Sequence, residues 1–133
     1  KQLVKELGLD QQVLFLKKIS QDLKNTLIAK SNIFVMPSIV YKKSVEGFGI
    51  AFVEAAQYGI SSVGGKDGGA SDAIIHDKTG LIIDGNNLEE IYQGIINLLS
   101  DKKYIEYGES AKKNAEKFEW NKIIKKYLKI IKD

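Results

Sequence analysis

A chain of 133 residues has room for one domain, since at this size roughly two-thirds of the unfolded surface can be buried. Cysteine is absent and the one histidine is His76, which excludes a disulfide framework, a cysteine zinc site and any cluster of histidine ligands. All 20 basic residues are lysines, set against 17 acids for a net charge of +3; they are scattered among the acids with no interleaved aromatic run, which argues against nucleic acid as a partner.

In chain order, residues 3–7 read as the tail of a helix ending at Gly8. The run 13–16 (Val-Leu-Phe-Leu) is short and continuously apolar, as a buried parallel strand is. Ser20 caps a helix with Leu23, Leu27 and Ile28 on one face, and 33–36 (Ile-Phe-Val-Met) is a second buried run, stopped by Pro37. A polar loop leads into a helix over about 48–58 that ends at Gly59; 60–63 is a third strand, 68–75 a short helix and 81–83 a fourth strand. His76, just before Asp77, fits a surface turn with a structural role, and Asp72 a helix start.

The rest reads as helical. Leu88, Ile91, Tyr92, Ile95, Leu98 and Leu99 recur at helical spacing behind an Asn87 cap, with Glu90 three residues on. A further helix covers 102–117. The last, over 119–133, gathers Ile123, Ile124, Tyr127, Leu128 and Ile131 on one face and rings them with Lys122, Lys125, Lys126, Lys129 and Lys132. Such a helix suits an anionic membrane surface; packing on its own domain is the commoner use and is the expectation here. No apolar run has the length of a membrane span, and the first ten residues lack the apolar core of a signal peptide.

Strands alternating with helices imply an α/β domain with a doubly wound, Rossmann-like parallel sheet over 1–133, whose ligands lie beyond the carboxyl ends of the strands. The loops 17–20, 38–47 and 64–71 fall there. The second leads into EGFGIAFVE over 46–54, a carboxylate followed by a glycine-flanked helix start. Free N–H groups and the helix dipole make such a start an anion site that needs no arginine, and Gly47 and Gly49 let a phosphate or sugar approach the backbone. Glu54 lies eight residues after Glu46, about 12 Å along the axis if both were helical. A carboxylate at Glu54, flanking the core-facing Phe52, Val53 and Ala56, suits a ribose diol; Glu46 at the loop tip faces the sugar end of the same ligand.

These glutamates match the E-x7-E motif, and the chain resembles the C-terminal, donor-binding domain of glycosyltransferase family 4 and its GT-B relatives. Segments 13–16, 31–38, 46–55, 58–60, 68–74, 79–83 and 118–120 follow one another as they do in that domain. The resemblance implies a retaining transfer of a sugar from a nucleotide diphosphate sugar to an acceptor hydroxyl, in glycan, glycolipid or polysaccharide synthesis, with no bound metal and no cofactor. By position, Glu46 is then the catalytic residue, touching donor-sugar hydroxyls and stabilising charge at the anomeric centre. The backbone of Gly47, Phe48, Gly49 and Ile50 holds sugar and diphosphate, Glu54 the ribose, and Leu16, Lys17 and Lys18 border the base, with Lys17 where the family often has glycine.

Two departures are Ser61-Ser62 where proline is usual after the Gly-hydrophobic pair, and Asp72 where glutamate is typical. The resemblance also implies a strand, a Gly-Arg loop and a lysine-bearing helix ahead of Lys1, and an acceptor-binding N-terminal domain. The chain is thus expected to be the C-terminal half of a GT-B enzyme truncated at its N-terminal edge, cytoplasmic, with membrane association through the other domain, binding donor weakly and inactive alone. Two other readings compete. A glycosidase needs paired carboxylates roughly 5–10 Å apart across one bond, which successive helix turns do not supply; a non-catalytic GT-B-like interaction module needs no donor. A P-loop fails because Asp67 follows Gly65-Lys66.

Overall fold

The computed structural model describes residues 1–42 and 47–132. Its helices are α1 (Gln2–Glu6), α2 (Gln21–Lys30), α3 (Ile50–Gln57), α4 (Ala70–Ala73), α5 (Leu88–Leu99), α6 (Lys103–Ala115) and α7 (Trp120–Lys132). Its strands are β1 (Ile33–Met36), β2 (Ser61–Gly65) and β3 (Gly80–Ile83), paired in parallel in that order, with Ile33 opposite Ser61 and Ser62 opposite Gly80.

The central strand shows why the layers pack so closely. Ser-Ser-Val-Gly-Gly has one bulky side chain, yet every residue of β2 is buried. A Cβ on Gly64 would stand 2.8 Å from Ile74 and 3.1 Å from Phe52, and one on Gly94 of α5 would stand 3.3 Å from Val63 on the opposite face. Small residues thus let helices approach both faces, where bulky ones would hold them off. One face carries Phe52, Val53 and Ala56 of α3, Ala70 and Ala73 of α4, and Ala111 and Ala115 of α6, with Phe34 and Met36 packed on them. The other carries Val63, Leu81 and Leu98, with Ile33, Ile83, Ile95, Tyr104 and Tyr107. A parallel sheet covered on both faces is the doubly wound architecture that strand–helix alternation predicts.

Local rules account for the helix boundaries. Asn87 Oδ1 accepts from the N–H groups of Glu89 (3.0 Å) and Glu90 (3.3 Å), and its side-chain amide donates to Glu90 Oε1 at 3.1 Å, so the predicted cap forms. Ser20 Oγ accepts from Leu23 N–H at 3.2 Å and opens α2. The middle of α6 meets the chain just past α3, where Gly108 lies against the carbonyl of Gly59 and beside Ser61 N, so α6 packs at the amino-terminal end of β2.

Two expectations are corrected. Residues 13–16 form no strand: the segment makes no sheet ladder among the described residues, and Leu14, Phe15 and Leu16 are 78%, 46% and 45% exposed. Apolar composition favours a strand only where a neighbour supplies the other half of the ladder. Nor does α7 pack on its own domain; Tyr127, Ile130 and Ile131 are 63%, 73% and 76% exposed. Both sheet faces are already covered by α3, α4, α5 and α6, so no residue of α7 joins either core cluster, and only its first turns, at Trp120 and Ile123, border the domain.

Candidate functional site

At the carboxyl end of the sheet, three loops meet backbone to backbone. A Cβ on Gly65 would strike the Ser38 carbonyl after β1, one on Gly85 would come 2.5 Å from the Pro37 oxygen, and one on Gly69 would strike the Gly47 carbonyl. Glycine is required at these positions because any side chain would displace main chain. The segment entering α3 is therefore gripped by the loop after β2.

Gly49 is the N-cap of α3, buried, left-handed at φ 74° and without a side-chain cap. Its carbonyl accepts from Phe52 N–H at 2.9 Å, and the first turn's remaining N–H groups lie beside it. A Cβ there would stand 2.7 Å from the Phe52 ring, so glycine serves both the positive φ and the close approach. Phe48 meets Phe118 edge to face at 5.3 Å between ring centres.

Ile50, Val53, Glu54 and Gln57 recur at the spacing of one helix face, and that face lines a pocket of about 500 Å³ completed by Phe48, Phe118, Trp120 and Ile123. Three of the predicted site residues, Phe48, Ile50 and Glu54, thus share one pocket. Glu54 is half-buried, and both its carboxylate oxygens accept from Lys24 Nζ, at 2.9 and 3.0 Å. Gly47 and Gly49 adjoin the pocket through the backbone of the same loop. Leu16, Lys17 and Lys18 are exposed and run into the Ser20 cap of α2, the helix that carries Lys24. Glu46 lies outside the described residues.

A second polar cluster borders the same end of the sheet. Lys66, after β2, donates to Asp84 at 2.7 Å, and Asp84 accepts from Asn86 N–H at 2.9 Å. Hydrogen bonding from Lys66, then from Asn86, holds the Asp84 carboxyl below its ordinary pKa, and hydrogen bonding and attraction to Asp84 raise the Lys66 ammonium. Asp67 accepts from Val40 N–H at 3.3 Å and ties the loops after β1 and β2 together. His76 accepts from Ile82 N–H at 2.9 Å through Nδ1, with Nε2 3.3 Å from Asp77; it braces the turn before β3, as its sequence context suggests, although it does have a carboxylate neighbour.

Sequence reasoning missed Lys24. Thirty positions separate it from Glu54, and no spacing rule links residues on different helices. Phe118 and Trp120 were legible as a motif but not as pocket walls.

The family model described as glycosyl transferases group 1 matches residues 1–118. A GDP-mannose-dependent alpha-(1-6)-phosphatidylinositol monomannoside mannosyltransferase of Mycobacterium tuberculosis is 31% identical over 104 residues, 77% of this chain and 27% of that protein. N-acetyl-alpha-D-glucosaminyl L-malate synthase of Bacillus anthracis is 32% identical over 134 residues, covering 99% and 33%. The chain therefore spans between a quarter and a third of the length of these relatives. Among solved structures, Anabaena HepE in complex with UDP and glucose superposes with a TM-score of 0.74 at 26% identity, over 87% of this chain and 30% of that one. Sucrose-phosphate synthase from Thermosynechococcus elongatus reaches 0.83 at 22% identity over 98% and 32%, a likeness of fold.

Proposed function

This chain belongs to the glycosyl transferases group 1 family and has the α/β fold of its GT-B members, and from that premise we propose that it is the donor-binding part of a retaining, family 4-type glycosyltransferase. In this reading a nucleotide diphosphate sugar lies along the start of α3, and its sugar passes to the hydroxyl of a glycan or lipid-linked acceptor held by a separate domain. The observation that carries it is the start of α3: a bare, left-handed Gly49 with no side-chain cap, followed by Ile50 and, one turn on, Glu54, which line one pocket. Such a terminus attracts the diphosphate.

The roles follow from position. Backbone N–H groups over 47–50 hold the diphosphate and sugar, and Glu54 accepts from the ribose hydroxyls. Glu46 touches the donor-sugar hydroxyls and stabilises positive charge as the bond to the departing diphosphate opens; Leu16, Lys17 and Lys18 border the base. No resident metal or cofactor enters, and charge on the leaving group is offset by amides and lysines. The Anabaena relative solved with UDP and with UDP-glucose supports a nucleotide-sugar donor.

The site of action in this reading is cytoplasmic. No helix among the described residues is long and apolar enough to cross a membrane. The exposed face of α7, whose 13 residues carry lysines and no acid, supports peripheral contact with anionic lipid.

A titration with UDP, GDP and ADP tests the donor reading. One of them binds this chain weakly, with Kd of about a millimolar, while the chain alone shows no transfer. Glu54→Ala weakens nucleotide binding; in the full-length enzyme Glu46→Ala abolishes turnover with little change in nucleotide affinity. Normal turnover by Glu46→Ala, or no binding of any of the three by the full-length enzyme, overturns the reading.

A further inference from the structure

Glu54 sits on α3 with no partner on its own helix that fixes its rotamer, and its side chain is 35% exposed. An unpaired glutamate in that position samples several rotamers, each presenting its oxygens in a different direction. Lys24 removes that freedom, because its Nζ reaches both oxygens at 2.9 and 3.0 Å. The lysine is itself held: its N–H donates to the Ser20 carbonyl at 3.0 Å, in the turn that Ser20 Oγ caps. That turn begins two residues beyond Lys18, so one short segment carries both the proposed base border and the partner of the proposed ribose ligand. Each carboxylate oxygen accepts two hydrogen bonds; the lysine uses one on each and leaves one on each, the number a ribose diol needs. The ammonium also lowers the repulsion between Glu54 and an incoming diphosphate.

We propose that Lys24 is a positioning residue of the donor site, which holds the Glu54 carboxylate in the orientation that accepts both ribose hydroxyls and compensates its charge beside the diphosphate. The inference rests on the ribose role of Glu54 given above.

The test compares UDP, GDP and ADP with their 2′-deoxy counterparts, on the unsubstituted protein and on Lys24→Met, Lys24→Arg, Glu54→Gln and Glu54→Ala. Losing one hydrogen bond to a charged group costs roughly tenfold or more in affinity, so the unsubstituted protein prefers the ribonucleotide by about that factor. Lys24→Met lowers the preference to about twofold or less, Lys24→Arg restores most of it, and the thermal midpoint stays within about 2 °C, as for a solvent-screened, half-buried ion pair. A merely structural lysine would shift the midpoint and leave the preference alone. If Glu54→Gln abolishes the preference while Lys24→Met keeps it, the inference fails and the ribose role stands. Tighter ribonucleotide binding by Lys24→Met also overturns it, since the lysine would then be blocking the carboxylate. If Glu54→Ala, which unlike Glu54→Gln leaves no group to pair with a hydroxyl, keeps the preference, the ribose role falls and takes the inference with it.

Discussion

Two four-residue runs, 13–16 (Val-Leu-Phe-Leu) and 33–36 (Ile-Phe-Val-Met), are nearly interchangeable by composition, yet one is exposed chain and the other is β1. Ile33 to Met36 lie opposite Ser61 to Gly64, which complete the ladder, with Phe34 and Met36 packed on the cluster of one face and Ile33 on that of the other. Residues 13–16 have no such partner among the described residues, so their N–H and C=O groups pair with no strand. The contrast teaches that an apolar run states a preference for burial, and the neighbouring strand decides whether it becomes sheet.

Substitutions at the strand end give the largest expected effect. Gly65→Val drives a side chain into the Ser38 backbone where β1 meets β2, and lowers stability by about 3 kcal/mol in denaturant unfolding; a loss below about 1 kcal/mol would show that this junction yields easily. Next is a matched pair of the same residue type. Phe34, packed edge to face on Phe52 at 5.7 Å, loses about 2–3 kcal/mol as Phe34→Ala. Phe15→Ala in the exposed run costs under about 1 kcal/mol; equal losses in the two variants would mean that 13–16 is as well packed as β1.

Smaller effects sharpen the same contrast between local and tertiary control. Removing the Asn87 cap as Asn87→Ala destabilises by about 1 kcal/mol, wherever the helix packs. Ser61 at the start of β2 is fully buried and its Oγ has no hydrogen-bond partner among the described residues, so Ser61→Ala stabilises by about 1 kcal/mol, readable as a raised Tm.

The smallest effect is the pH response of the Lys66–Asp84 pair. Asp84 titrates below its ordinary pKa, so its contribution is complete above that value and is lost as pH falls through the lowered one. Lys66 is raised, so its contribution is complete below its ordinary pKa and is lost as pH climbs through the raised value. Lys66 is exposed and Asp84 only partly covered, so solvent screens the pair and Asp84→Asn flattens the acid limb of the stability profile only slightly; a large change at neutral pH would contradict this assignment.

Much of the scaffold was legible from residue order. The strands β1, β2 and β3 and helices α2 to α7 fall within a few residues of the predicted segments, because caps such as Ser20 and Asn87, the stop at Pro37 and the helical periodicity over 88–99 act through contacts a few residues apart. The site was half legible. Glycine-flanked EGFGIAFVE marks the start of α3 and one acid on it, while the pocket wall of Phe118 and Trp120 comes from a segment more than sixty positions further along the chain.

By itself the amino-acid order determined the α/β class, the family signature and the glycine-flanked start of α3, since those depend on local spacing, glycine conformation and capping. Only the tertiary structure decided that 13–16 is not sheet, that α7 stands clear of the core, and that Lys24 grips Glu54. Each of those outcomes turns on which distant surface comes within a few ångströms, and pairing between separate elements leaves no period in the sequence to read.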